Sequence, residues 1–165
     1  MSILLSQNKT YSKSSSPHVD YPDTDGVELT DGTISTGGTY GGSPGSLYAS
    51  ALDVTIDLGQ ICILDYARFH YFTWYAGSAE APTQVVMSGS GDGVSFTTIA
   101  TYTQAGGYWT NGDGDKKYSN NLTLNNSQYR YIKFSFTKTA AYMCFSEMEI
   151  YGILAGGQVI IWESA

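Results

Sequence analysis

In Asp53-Val54-Thr55-Ile56-Asp57-Leu58-Gly59, apolar and polar residues alternate without a break. A period of two sends Val54, Ile56 and Leu58 to one side of an extended chain and Thr55 and Asp57 to the other. That is the pattern of a strand with one buried face and one wet face. Beyond it, Gly59-Gln60 reads as a turn into Ile61 to Tyr75, an apolar run too long for one flat strand and expected to bend or split near Asp65. Within that run Ala67, Phe69 and Tyr71 share a face, and Arg68 and His70 share the other.

The same period recurs along the chain. Thr83 to Ser88 reads as a strand, Ser90-Gly91-Asp92-Gly93 as a hairpin turn, and Val94 to Tyr102 as the returning strand. Tyr118 to Leu124, Tyr129 to Thr137 and Tyr142 to Tyr151 complete the downstream set, with Ile132, Phe134 and Phe136 alternating against Tyr131, Lys133 and Ser135. Upstream, Lys9 to Ser12 is the first strand expected. Nowhere do apolar residues recur at spacings of three and four, so no helix is expected. Short strands separated by turn signals imply an all-β, antiparallel β-sandwich. Gly152 ends the pattern, which assigns 1–152 to the sandwich and 153–165 to a hinge at Ala155-Gly156-Gly157 plus a short apolar tail, Gln158 to Trp162.

Composition agrees. The 165 residues are enough for one domain with a sizeable core, charged residues are only 14%, and Gly (19) and Tyr (14) are abundant, as turns and strands require. A net charge of −7 argues against a nucleic-acid partner, which needs a basic surface. No apolar run reaches membrane-spanning length, and Ile3-Leu4-Leu5 is too short for a signal-peptide core. The chain thus reads as lacking a signal peptide, with an extracellular or virion-surface location reached by a removed signal or by lysis. Cys62 and Cys144 sit in apolar runs and read as buried free thiols, since a disulfide-dependent fold carries more pairs.

Five carboxylates fall between Asp20 and Asp31, in a run broken by Pro22, Gly26 and Gly32. A tightly turned loop with that much negative charge is either well solvated or neutralised by a cation. Calcium, which takes six to eight oxygens including turned backbone carbonyls, suits it. Asn111-Gly112-Asp113-Gly114-Asp115 imitates the start of an EF-hand loop, but Lys116 stands where glycine is needed and Leu122 where the bidentate glutamate belongs.

Glu28-Leu29-Thr30-Asp31-Gly32, Val54 to Gly59, Ala81-Pro82-Thr83 through Asp92-Gly93-Val94-Ser95-Phe96, Arg130 to Phe134, and Ser146 to Gly152 occur in one order. In that order the chain resembles the discoidin-like, coagulation-factor C-type domain, a jelly-roll sandwich of the galactose-binding-like superfamily that includes many bacterial carbohydrate-binding modules. The resemblance covers roughly residues 5–152 and implies a structural calcium ion. By position, Asp31 and Glu147 would give side-chain oxygens, Glu28, Thr33 and Ser146 carbonyls, and Ser46 a hydroxyl. Glu149 competes with Glu147, because alternation places both on one face.

A sugar site needs an aromatic platform and a few fixed polar groups, which the resemblance places on loops at one end of the sandwich. The candidates are Tyr108 and Trp109 first, then Tyr40, Tyr48, Trp74, Tyr75 and Tyr142, with His70, Asn111 and Asp113 as polar partners. The His, Arg and Asn arrangement of galactose binders has no counterpart residue by residue. No nucleophile–base motif or histidine-rich metal cluster speaks for an enzyme.

The expected function is therefore a non-catalytic, lectin-like module for a glycan or glycosylated surface, with Ca2+ as a structural ion. The alternative is a virion or other surface-assembly protein, a phage decoration or fibre-associated subunit, whose tail pairs with a neighbouring copy's sheet edge. A cell-adhesion module for protein or lipid surfaces is disfavoured by the acidic balance, and no membrane insertion is expected.

Overall fold

A computed structural model describes residues 1–34, 45–74, 78–110 and 114–156. The expected ligand residues Tyr40, Tyr75, Asn111 and Asp113, and the tail from Gln158 onward, lie outside the described residues. Nine strands are described: β1 (Ile3–Leu4), β2 (Tyr11–Lys13), β3 (Ser46–Tyr48), β4 (Leu52–Thr73), β5 (Gln84–Ser90), β6 (Thr97–Thr103), β7 (Gly114–Tyr118), β8 (Leu122–Thr137) and β9 (Met143–Leu154). Every strand-to-strand pairing among them is antiparallel. Two single 3-10 turns, Thr24–Gly26 and Gln104–Gly106, are the only helical segments described.

The sandwich is made by two long strands that turn a corner together. The first part of β4 pairs with the second part of β8 (Leu52↔Phe136 through Asp57↔Tyr131), and the second part of β4 pairs with the first part of β8 (Cys62↔Tyr129 through Ala67↔Leu122). On one side of the corner, β2, β5 and β6 extend the layer; on the other, β9, β7, β1 and β3 do. The turn expected at Gly59-Gln60 is therefore a bend inside one strand. Gly59 has φ of 86°, its N–H is held by the Asp57 carboxylate at 2.8 Å, and the register shifts between Asp57 and Cys62. Likewise Tyr118 to Leu124 and Tyr129 to Thr137 do not end as expected: β8 runs through, bulged where Asn125 and Asn126 take left-handed angles (φ 54° and 53°). The last strand continues past Gly152 to Leu154, which pairs with Cys62.

Val54, Ile56, Leu58, Ile132, Phe134 and Phe136 are all buried, as the alternation required. They meet Ala67, Phe69, Met148 and Ile150 of the facing layer in one core. Phe69 lies at its centre, 5.1 Å from Phe136 and 5.9 Å from Phe145, both edge-on. Each such side chain contributes about 1.5–3 kcal/mol by its removal from water. Cys62 and Cys144 are free and buried.

Candidate functional site

The acidic turn is anchored by a residue the sequence did not single out. Asp23, one of the five carboxylates of that turn, has a fully buried side chain ion-paired with Lys13 Nζ. The Tyr11 hydroxyl donates to Asp23 Oδ1 at 2.6 Å, and the Glu28 N–H donates to the same oxygen at 3.3 Å. The Tyr11 oxygen in turn accepts from the Leu29 N–H at 3.2 Å. Burial and the neighbouring carboxylate raise the Tyr11 phenol above its ordinary range, so it remains a donor. Edge strand β2 thus fixes the loop. Leu29 is fully buried, and its carbonyl accepts from the Met148 N–H of β9 at 2.8 Å.

That staple brings the Asp-Gly step onto β9. The Gly32 N–H donates to Glu147 Oε2 at 2.9 Å, while Asp31 Oδ1 accepts the Thr33 N–H at 2.6 Å. Glu147 is buried, and its other oxygen, Oε1, has no hydrogen-bond partner among the described residues; neither has the Ser146 hydroxyl. Burial, with the charges of Asp31 and Glu149, pushes the Glu147 carboxyl up to about 8. Glu149 behaves in the opposite way. Burial works to raise it, yet His70 and Arg68 hold it below the usual carboxylate range, at 3.2 and 3.0 Å from its Oε2. One carboxylate on this face has its cations; the other has none.

Among the described residues, no three His, Cys, Asp or Glu side chains are grouped as a metal site. Carbonyls and hydroxyls would have to fill a shell here, a donor set that fits calcium and not zinc. The orphaned Glu147 Oε1 is the atom a cation would satisfy. The Ser46 hydroxyl is turned elsewhere, donating to Glu28 Oε2 at 3.0 Å, and Ser46 is fully buried.

The aromatic candidates divide sharply. Trp109, expected on a surface platform, is only 3% exposed: its indole N–H donates to the Pro82 carbonyl at 2.6 Å and its ring meets Phe69 edge-on at 5.1 Å. An indole whose N–H finds an internal acceptor is better buried than wet, so Trp109 is a core residue. Tyr48 is also buried completely, against Phe145. His70 is 5% exposed and beside Glu149, so it faces a protein carboxylate and not a ligand. Tyr108 is half-buried, packed edge-on against Tyr102 at 4.6 Å.

Trp74 and Tyr142 remain, and the fold brings them to one rim. Trp74 exchanges backbone hydrogen bonds with Ala79 (2.8 and 3.1 Å), and Ala79 also bridges to Tyr142. Two residues absent from the sequence expectation join them: His18, 5.8 Å edge-on from Tyr142, and Tyr21, 6.5 Å from His18. The His18 N–H donates to Leu47 O at 2.7 Å and Tyr21 O accepts from Leu47 N–H at 3.3 Å, which fixes this segment beside β3. All four residues are half-buried; Asp20 precedes Tyr21 in the chain, and the Glu80 N–H donates to the Tyr142 carbonyl at 3.0 Å. No local pattern marks His18, because its neighbour is 124 positions away.

No protein-family model matches the chain, and none of the curated proteins matches it. Solved structures do. The chitosan-binding module 1 derived from a chitosanase/glucanase of Paenibacillus sp. IK-5 superposes with a TM-score of 0.63 at 19% identity, covering 91% of this chain and 99% of that one. The family 32 carbohydrate-binding module from C. perfringens NanJ, in complex with galactose, gives 0.64 at 17% identity, covering 92% and 99%. The CBM32 of AlyQ, in complex with 4,5-unsaturated mannuronic acid, gives 0.58 at 16%, covering 90% and 99%. With nine-tenths of the chain superposed, the chain has the β-sandwich fold of these carbohydrate-binding modules.

Proposed function

We propose that this chain is a non-catalytic carbohydrate-binding module, with its glycan site at the rim of Trp74, Tyr142, His18 and Tyr21 and a structural calcium at Asp31 and Glu147. The observation that carries the reading is the rim itself. The rings of His18, Tyr21 and Tyr142 meet there from two separate segments, and backbone bridges through Ala79 bring the half-buried Trp74 alongside, in a sandwich fold shared with sugar-binding modules. A pyranose presents an apolar face to such rings and hydroxyls to polar groups such as His18. A glycan array read in calcium and in chelator tests it. Binding to at least one glycan class in calcium is expected; silence across the array contradicts it.

For the ion, Glu147 and Asp31 would supply carboxylate oxygens, Glu28, Thr33 and Ser146 carbonyls, and Ser46 its hydroxyl after turning from Glu28. Bound calcium would supply the positive charge that the buried Glu147 lacks. The ion's role is to fix the turn to β9, away from the chemistry of binding. On this reading the module works on glycosylated surfaces outside a cell or on a virion.

One observation favours the assembly role as a second reading. Ile3, Ile61, Ile153 and Leu154 are each 43–53% exposed, and β-pairing and the Ala155–Ile61 hydrogen bond gather them where the described chain ends. Exposed apolar side chains on both faces of a strand end suit a subunit contact. Its test is a solution mass, given below.

A further inference from the structure

Sharing no residue with the aromatic rim, the outward face of the first layer holds a groove of about 300 Å³, lined by residues that include Thr10, Ser12, Thr55, Asp57, Gly93 and Tyr131. Register explains its composition. Ser12 lies opposite Thr55, Asp57 opposite Tyr131, and Tyr131 opposite Ser90, so an outward row crosses β2, β4, β8 and β5. Sandwich alternation sends Ile56 and Ile132 inward and leaves these polar side chains outside.

Each wall is fixed before any ligand arrives. Arg130 donates twice to Asp57, Nε to Oδ1 and Nη2 to Oδ2, both at 2.8 Å, and the Gly59 N–H donates to Oδ1 at 2.8 Å. The hydrogen-bonded guanidinium keeps Asp57 below the usual carboxylate range against the opposing effect of burial. On the far side, the Ser90 hydroxyl accepts the Gly93 N–H at 2.9 Å and Asp92 Oδ1 accepts from Val94 and Ser95, both at 2.9 Å. Gly93 has φ of 77°, and a Cβ there would lie 3.2 Å from the Tyr131 ring, so only glycine lets the turn rest on that ring unstrained. The Arg130 guanidinium lies 4.9 Å from the same ring's centroid.

We propose that this groove is a second carbohydrate subsite, taking one pyranose residue. Its volume lies at the lower end of the range for small-ligand pockets, room for a single sugar ring. Asp57 accepts from one ring hydroxyl with the Oδ2 lone pair that Arg130 and Gly59 leave open, and the hydroxyls of Thr10, Ser12 and Thr55 both donate and accept. Tyr131 gives the apolar contact. Fixed walls mean little ordering cost on binding. The subsite stands apart from the rim, so a module with both would hold two points of one glycan chain or two chains.

The test is a residue-resolved 1H–15N NMR titration of the full chain with methyl β-galactoside, methyl β-glucoside and galacturonate. It is run on the native protein, on Trp74→Ala, and on two groove variants. Expected are shifts at Thr10 to Ser12, Thr55 to Asp57, Gly93 and Tyr131 with at least one of these sugars, persisting in Trp74→Ala. Asp57→Asn should weaken them by roughly tenfold, the loss of a charged acceptor. Ser12→Trp, at an exposed edge-strand position that does not enter the core, should abolish them without lowering the melting temperature. Shifts confined to Trp74, Ser78 to Glu80 and Tyr142 would overturn the groove and leave the rim standing. Groove shifts alone would support the subsite and overturn the rim. No shifts with any sugar would overturn both sites.

Discussion

Asp23 shows how much one buried charge can decide. A carboxylate out of contact with water is tolerated only because Lys13, the Tyr11 hydroxyl and the Glu28 N–H all face it. Asp23→Ala leaves Lys13 without its partner and the turn without its anchor. The expected loss is about 3 kcal/mol, whereas Asp20→Ala, at a carboxylate 64% exposed, should stay within about 0.5 kcal/mol; urea denaturation of both checks this. Nothing in Tyr21 to Gly32 distinguishes these aspartates, because Asp23's partners come from another strand. Trp109 teaches the converse. Its glycine-flanked position suggested a surface platform, but Pro82, 27 residues away, supplies the acceptor that lets the indole go inside. Trp109→Ala should therefore cost about 3–5 kcal/mol in stability, as a buried aromatic does. At a temperature where the variant is folded, glycan affinity should be unchanged, as a titration at matched folded fraction would show.

At the scale of elements, β9 carries two glutamates two residues apart with opposite fates. Arg68 and His70 stand on β4 opposite Glu149 and Glu147, and both converge on Glu149. Glu147 is left with the turn. Alternation put both carboxylates on one face but could not say which had cations, since that depends on where the side chains across the strand point. The pH response follows. Without calcium the folded protein keeps Glu147 protonated over a range where the unfolded chain, with an ordinary carboxyl near 4.5, has lost that proton. Folded protein then binds more protons, so this contribution is fully present below about 4.5 and is lost as pH rises through about 8. Calorimetry in chelator should show the melting temperature falling across that interval, and calcium should reduce the fall, with a gap that widens as pH rises. Glu147→Gln should flatten the chelator profile and remove the calcium response. A calcium effect equal at both ends of the range would sink the assignment. The strands themselves were mostly legible: Val54 to Leu58 and Ile132 to Phe136 alternate because each buries one face. The corner at Gly59 and the two-residue β1 were not, since a bend looks like a turn and two residues have no period.

For the whole molecule, topology decides what sequence leaves open. The ordered motifs from Glu28 to Gly152 were enough for the sandwich, because each marks a strand or turn that the fold repeats in fixed order. The rim was only half readable: Trp74 and Tyr142 stood out as aromatics, but His18 and Tyr21 join them through β3, a contact with no local signature. The groove at Asp57 and Tyr131 is likewise a product of register across four strands. The exposed apolar end at Ile61, Ile153 and Leu154 raises the question of association. If those residues form a subunit contact together with the tail, removing residues 157–165 should convert an oligomer to a monomer in light scattering. A native chain that is already monomeric at high concentration would discard the assembly role.

The central claim is that the Trp74–Tyr142 rim holds a glycan. A glycan array probed in calcium with the native chain and with the Trp74→Ala, Tyr142→Ala double variant tests it most directly, provided both melt at similar temperatures. The native chain should bind at least one glycan class and the double variant should lose that binding at the rim, by roughly tenfold or more if the rings supply the sugar platform. Equal binding by both proteins, or by neither, would contradict it.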